Sequence, residues 1–202
     1  MSKKVRVAII GVGNCASSFV QGLEYYKHAD PNDRVPGLMH VNLGGYHISD
    51  IEISAAFDID KEKVDKDVSE AIFSGLNNTV KFSDVPKLNI PVLRGMPHAG
   101  LGMYLPEVIT KAPGSTVDIA QVLKDTGTDV VVNYLPVGSE AATRWYTEQI
   151  LDAPCAMVNC MPLFIARQDY WQSRLPTAGP PTIRDDPSPQ VAAPPPHRRP
   201  AP

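Results

Sequence analysis

The sequence has few cysteines, and none of its hydrophobic runs is long enough to cross a membrane. Its 202 residues include three cysteines, at positions 15, 155 and 160. Three are too few for a disulfide framework, and none of them forms the C-x-x-C spacing of a metal-binding pair. Such cysteine usage is typical of a reducing compartment, so we expect a cytoplasmic location. We expect no membrane partner, because a spanning helix needs about 20 consecutive apolar residues.

Neither sign of charge dominates. The chain has 19 lysines and arginines against 22 aspartates and glutamates, which gives a net charge of -3. This balance provides no electrostatic reason to expect a nucleic-acid partner. The five histidines are scattered and show no ligand spacing with one another, so the sequence predicts no metal site. Spacing alone also assembles no Ser-His-Asp, Cys-His or paired-carboxylate set, so no catalytic residue is predicted from it.

What the sequence does contain is a strand, a glycine turn and a helix at its start. Residues 5–10, VRVAII, are typical of a buried strand. They lead into Gly11-x-Gly13-x-x-Ala16, a dinucleotide-binding fingerprint, and then into apolar residues at helical spacing. Gly11 permits the tight turn, Gly13 leaves room for a pyrophosphate, and Ala16 allows close packing of helix on strand. Backbone N–H groups of the first helical turn, which holds Asn14 and Cys15, are expected to face the anion.

Two alternatives stay open for this motif. A glycine turn can occur in an α/β protein that binds no nucleotide, although the position in the first strand of the chain favours the nucleotide. The second alternative concerns Cys15, because a thiolate would be stabilised at a helix N-terminus. We favour the interpretation of Cys15 as a small residue that fits the turn.

Further strands and helices alternate along the chain. Strands are predicted at residues 51–57, 129–135 and 155–159, and helices at 61–73, 117–126 and 139–153. This alternation predicts an α/β fold, a Rossmann-type doubly wound parallel sheet, over residues 5–170. Ligands of such sheets lie beyond the carboxyl ends of the strands. The glycine turn, Asp58, Leu135–Gly138 and Asn159–Pro162 are therefore expected to meet at one edge of the sheet.

Asp58 closes the second long strand. An acidic residue at this place in a Rossmann unit binds the hydroxyls of the adenosine ribose, usually about 20 residues after the glycines. Asp58 lies 47 positions after Gly11, and an insertion over residues 30–50 accounts for the excess. The alternative is an N-cap for a following helix. We favour the ribose ligand.

The composition changes near residue 176. Residues 176–202 contain 10 of the 20 prolines, and Ile183 and Val191 are their only branched aliphatic side chains. Such a segment cannot bury a core, so we expect a disordered, Pro-rich tail after a domain of residues 1–175.

Several longer motifs resemble one family, the bacterial myo-inositol-1-phosphate synthases, also called inositol-3-phosphate synthases. The resemblance runs without gaps over residues 5–170. Its motifs are Gly11-Val-Gly-Asn-Cys-Ala-Ser-Ser, Gly22-Leu-Glu-Tyr-Tyr, Val35-Pro-Gly-Leu-Met-His, Ala55-Ala-Phe-Asp, Tyr134-Leu-Pro-Val-Gly-Ser-Glu and Val158-Asn-Cys-Met-Pro-Leu-Phe-Ile-Ala.

The resemblance implies a function and a cofactor. The family converts glucose 6-phosphate into inositol phosphate, for inositol and phospholipid biosynthesis, with tightly held NAD. Oxidation at C5 allows an aldol ring closure and the hydride then returns, so there is no net redox change. The resemblance also implies a homotetramer. It adds Asp67, Thr126 and Tyr146 to the cofactor-binding residues Gly11–Ala16, and it brings the loop with Pro136 to the nicotinamide side. Asp67 therefore competes with Asp58 for the ribose.

The resemblance ends in the Pro-rich segment. There the family continues through a cofactor-contacting serine into a second domain with the catalytic lysines, the substrate phosphate site and the tetramer-forming sheet. This chain has Pro189 at the position of the serine, and proline has no N–H to donate. We therefore expect a truncated or frameshifted C-terminus, no defined tetramer and little activity of this polypeptide alone. A non-catalytic NAD-binding module and an NAD-dependent dehydrogenase remain the alternatives.

Overall fold

The computed structural model describes residues 4–97, 109–153, 155–165, 168–174 and 183–185. The strands are β1 (Val5–Ile10), β2 (Asn42–Leu43), β3 (Tyr46–His47), β4 (Ile51–Asp58), β5 (Val92–Arg94), β6 (Val130–Asn133), β7 (Ala156–Asn159) and β8 (Ile183–Asp185). The helices are α1 (Asn14–Tyr25), α2 (Val68–Ala71), α3 (Ile119–Asp125), α4 (Glu140–Asp152) and α5 (Asp169–Arg174), and a 3-10 turn covers Ile48–Asp50.

Six of the strands form one parallel sheet in the order β5-β4-β1-β6-β7-β8. Counted along the chain among themselves, these strands stand in the order 3-2-1-4-5-6, which is that of the dinucleotide-binding doubly wound fold. The central strand is β1, whose Ile10 lies opposite both Phe57 of β4 and Asn133 of β6. The predicted Rossmann-type sheet is confirmed, and its strand order reverses between β1 and β6.

The sheet is covered on both faces because successive side chains of a strand point to opposite sides. Ala8 and Ile10 pack with buried residues of α3, α4 and α5. Ile9, between them, packs with buried residues of α1 and α2. β4 repeats the pattern, since Phe57 belongs to the first cluster and Ala56 to the second. Two cores therefore hold the strand ends in fixed positions. In the described part of the chain, no helix is long and apolar enough to span a bilayer.

The helix predicted over residues 61–73 is wrong in extent. Only one helical turn, α2, forms there, and a series of turns precedes it. Asp65 has a φ of +70°, which is incompatible with a continuous right-handed helix. The backbone instead pairs with the β5 segment, because the Asp65 N–H donates to the Val92 carbonyl at 2.9 Å and the Val92 N–H to the Lys66 carbonyl at 2.8 Å. Long-range pairing has thus replaced the local helical pattern.

The C-terminal segment contributes one strand to the sheet. In β8, Ile183 lies opposite Met157 of β7 in a parallel register. These three residues therefore have a regular backbone, in contrast to the disorder expected from composition, since strand pairing requires little burial at a sheet edge. The rest of the predicted tail, residues 176–182 and 186–202 with Pro189, lies outside the described residues.

Candidate functional site: the carboxyl edge of the central strands

The glycine turn is fixed between the ends of three strands. The Gly11 N–H donates to the Phe57 carbonyl at 2.9 Å, and the Tyr134 N–H donates to the Ile10 carbonyl at 2.8 Å. Gly11 has a φ of +88°, and a Cβ there would lie 3.0 Å from the Tyr134 carbonyl oxygen. The positive φ and the short distance both require glycine. Residues with a side chain rarely adopt this φ, and the backbone atoms of Tyr134 cannot move away. Gly11 therefore allows the chain after β1 to pass close to the chain after β6.

Gly13 faces open space. It is the N-cap of α1, and no described side chain caps this helix end. A Cβ built at Gly13 meets no atom within 4 Å. An uncapped N-terminus presents free N–H groups and about half a positive charge to whatever lies beyond it. The turn therefore forms a cradle whose size and polarity suit a phosphate group.

Asp58 is held against the same turn. One carboxylate oxygen accepts the Val12 N–H at 2.7 Å, and the other accepts the N–H groups of Ile59 and Asp60 at 2.7 and 2.9 Å. The carboxylate thus joins the end of β4 to the glycine turn and also caps the turn that follows. Both interpretations of Asp58 from the sequence stay compatible with this geometry, since a carboxylate has about four acceptor positions.

These elements enclose a cavity of about 270 Å³ at the switch point of the sheet. Its lining combines the glycine turn, the end of β4 and the loops after β5 and β6. The described lining residues are Gly11, Gly13, Asn14, Cys15, Asp58, Ile59, Asp60, Lys63, Leu76, Met96, Ile109, Tyr134, Leu135, Pro136, Ser139, Ala142 and Tyr146. Ala16 is fully buried behind the turn and packs in the core. Switch-point crevices of this kind are where doubly wound folds bind dinucleotides.

Tyr146 supports the far wall of the cavity from α4. Its hydroxyl oxygen accepts the Met96 N–H at 2.9 Å, and burial raises the pKa of the phenol well above its ordinary value. A side chain at Gly95 would collide with this hydroxyl. Tyr146 is therefore a neutral hydrogen-bonding group that fixes the loop after β5.

A buried amide pair shapes the loops after β6 and β7, and the sequence analysis gave no role to its first member. Asn133 and Asn159 are register partners, and the Asn133 Nδ2 donates to the Asn159 Oδ1 at 2.9 Å. The Asn133 Oδ1 accepts the Leu135 N–H at 3.1 Å, and the Asn159 Nδ2 donates to the Leu163 carbonyl at 2.7 Å. A polar residue at the end of each of two buried strands was the available signal for this pair.

Two residues implied by the family resemblance lie away from the cavity lining. Asp67 is the N-cap of α2. Partial burial raises the pKa of Asp67, but its hydrogen bonds from Ser69, Leu88 and Ile90 outweigh this effect and leave the pKa below its usual value. Thr126 is the C-cap of α3, and its hydroxyl donates to the Val122 carbonyl at 2.8 Å. It lies near Arg6 at the start of β1, at the opposite edge of the sheet. Their cofactor roles stay predictions.

The remaining polar groups offer little reactivity near the site. The described residues contain no group of three or more His, Cys, Asp or Glu side chains able to hold a metal ion. Cys15 is exposed at the cavity. Cys155 is buried just before the start of β7, at the other edge of the sheet, and burial raises the pKa of its thiol to about 11. Cys15 is thus the accessible thiol of this pair.

Comparison with curated proteins finds close relatives with a common name. The chain is 49% identical over 190 residues to the inositol-3-phosphate synthase of Mycolicibacterium smegmatis, and over 189 residues to that of Corynebacterium glutamicum. Each match covers 94% of this chain and 52% of the relative. The chain therefore spans about half the length of the curated relatives it matches. No protein-family model matches the sequence.

Solved structures agree on the fold. The crystal structure of Ari2 superposes with a TM-score of 0.75 at 27% identity, over 91% of this chain and 54% of Ari2. A myo-inositol-1-phosphate synthase-related protein from Thermotoga maritima superposes with a TM-score of 0.60 at 23% identity, over 85% of this chain and 51% of that protein. At that identity the second match supports the fold alone.

Proposed function

We propose that this chain is the NAD-binding part of an inositol-3-phosphate synthase, since it is 49% identical to two such enzymes over about half of their length. The observation that carries the proposal is the open space at Gly13, in front of the uncapped N-terminus of α1 and above the switch point. A dinucleotide pyrophosphate needs room for its phosphates, backbone donors and positive potential, and this cradle offers all three.

We assign the parts of the cofactor to the ends of the sheet strands. The N–H groups of Gly13, Asn14 and Cys15 would bind the pyrophosphate. The Asp58 carboxylate would accept a ribose hydroxyl at its one remaining acceptor position, while the Val12 N–H keeps it in place. Pro136 and Tyr146 would flank the nicotinamide half, since both line the cavity on the β6 and α4 side.

The proposed reaction is the conversion of glucose 6-phosphate into myo-inositol phosphate. NAD would supply a hydride acceptor and donor at one sugar carbon, so that no NADH accumulates over a cycle. An ordinary NAD-dependent dehydrogenase would accumulate NADH, and a binding module would turn over nothing. This chain's own contribution is to bind and orient the cofactor.

We expect the 202-residue chain by itself to form inositol phosphate at no measurable rate. Among the described cavity residues Lys63 is the single cation, so no second cation there could hold the phosphate of the sugar. Catalysis also requires groups positioned against the transition state, which a bound cofactor cannot replace. An assay of inositol phosphate from glucose 6-phosphate and NAD checks this expectation. A turnover number above about 0.1 per second, one tenth of the lower end of the typical enzyme range of 1–1000 per second, would contradict it.

Alkylation of Cys15 tests the cofactor site at residue level. Cys15 is exposed in the first turn of α1, where the pyrophosphate would cover it. With NAD at ten times its Kd, we expect maleimide labelling of Cys15 to slow about tenfold, because only the unoccupied fraction reacts. Mass spectrometry of the labelled peptides measures the rate, with the slow buried Cys155 as internal reference. Equal labelling rates of Cys15 with and without saturating NAD would show that the cofactor lies elsewhere.

A further inference from the structure

Lys63 is a buried lysine whose ammonium has no partner among the described residues. It lies in the turn after β4, its side chain is only 5% exposed, and it lines the cavity. Its backbone N–H donates to the Asp60 carbonyl at 3.0 Å. Its ammonium makes no hydrogen bond and no ion pair with any described residue. Lysine is almost never fully buried without pairing, because removing an ammonium from water is costly.

The methylene chain of Lys63 lies close to Gly75 and to the Asp60 carboxylate. A Cβ built at Gly75 would lie 3.4 Å from the Lys63 Cε and 2.9 Å from the Asp60 Oδ2. The stem therefore runs past Gly75, beside the Asp60 carboxylate. Asp60 is itself 4% exposed and uses one oxygen to accept the Glu62 N–H at 2.9 Å. Lys63 lines the cavity and forms no ion pair with these acidic neighbours within the described part of the chain.

Lys63 is the charged side chain of the described cavity lining that could attract an anion. No other lysine and no arginine is among the described lining residues, whose two carboxylates belong to Asp58 and Asp60. The N-terminus of α1 adds about half a positive charge. A pyrophosphate carries two negative charges, so the helix end alone leaves most of its charge uncompensated.

We propose that the Lys63 ammonium binds the pyrophosphate of the cofactor from the wall facing the glycine turn. This inference rests on the proposed NAD function and adds to it a side-chain ligand. NAD has no other anionic group. An additional 2′-phosphate on the adenosine ribose fits the site less well, since Asp58 and Asp60 lie on that side and would repel it.

A lysine two positions away provides a matched control. Lys61 lies in the same turn but is exposed and does not line the cavity. Lys63→Met and Lys61→Met therefore remove the same charge from the chain and differ only in the position of the ammonium. Calorimetry of each variant with adenosine, ADP and NAD separates the contribution of the phosphates from that of the base and sugar.

We expect Lys63→Met to weaken ADP and NAD about tenfold or more, the usual effect of losing one charge-assisted hydrogen bond. Its adenosine affinity should stay within about twofold, as should all three affinities of Lys61→Met. The ligand-free Tm of Lys63→Met should rise by about 2–4 °C, because an unpaired buried ammonium is replaced by an apolar side chain of similar length. A lysine with a merely structural role would lower the Tm.

Three results would overturn the inference. The first is equal weakening of adenosine and ADP in Lys63→Met. The second is a loss confined to NADP, titrated as a fourth ligand, which would assign Lys63 to a 2′-phosphate. The third is unchanged binding of ADP and NAD. If the unaltered chain binds neither ADP nor NAD, the proposed function fails as well, and this outcome is distinct from the other three.

Discussion

Replacing Gly13 with valine is expected to abolish NAD binding and to leave the protein folded. No heavy atom lies within 4 Å of a Cβ built at Gly13, and the residue has a negative φ that valine can adopt, so we expect the variant to fold. The valine methyl groups would occupy the volume that the pyrophosphate needs beside the N-terminus of α1. We expect the affinity for NAD to fall at least about 100-fold, which corresponds to about 2.7 kcal/mol.

Gly22→Val is the matched control for this experiment. Gly22 lies on the same helix, and its Cβ position is also free of neighbours within 4 Å, but it does not line the cavity. Calorimetry with NAD should therefore show unaltered affinity for Gly22→Val, and circular dichroism should show native folding for both variants. Equal NAD affinities of the Gly13→Val variant and the unaltered chain would refute the assignment of the pyrophosphate to this turn.

The companion substitution Gly11→Val should unfold the protein at a much lower temperature. Its Cβ would lie 3.0 Å from the Tyr134 carbonyl oxygen and 3.2 Å from the Leu135 nitrogen, and the residue has a φ of +88°. Positive φ and overpacking against backbone each cost about 1–3 kcal/mol for a β-branched residue. Their sum lowers the Tm by roughly 5–15 °C in a domain of this size.

Gly44→Val separates the cost of positive φ from the cost of overpacking against backbone. Gly44, in the exposed β2–β3 hairpin, has a φ of +60° but no neighbour within 4 Å of its Cβ position. It should therefore show the cost of positive φ alone, and its Tm in a thermal melt should lie between those of Gly11→Val and the unaltered chain. A Gly11→Val variant that melts no earlier than Gly44→Val would mean that β1 and β6 do not pass each other as closely as described.

The sequence predicted the parts of the structure that depend on local pattern. The VRVAII strand, the glycine fingerprint and the alternating helices were sufficient to predict a Rossmann-type parallel sheet, in which the structure places β1 between β4 and β6. The expected meeting of Gly11, Asp58 and Leu135 at one edge also agrees with the cavity lining. These features follow from side-chain periodicity and from the rule that parallel strands end together.

Features that depend on distant contacts could not be predicted in this way. Residues 61–73 have helical spacing, but pairing of Asp65 and Lys66 with Val92 interrupts the helix. Asn133 has no periodic signal, because its importance comes from its register opposite Asn159. The sequence analysis gave no role to Lys63, whose burial beside Gly75 is visible only in the structure. In each case a residue remote in sequence determines the role.

Calorimetric titration of the unaltered 202-residue chain with NAD tests the central claim most directly. We predict saturable binding of one NAD per chain, with ADP competing for the same site, because the proposed cradle in front of α1 would bind the pyrophosphate common to both ligands. A folded chain that shows no binding at about 1 mM NAD would contradict the claim, because its binding free energy would then be weaker than about −4 kcal/mol.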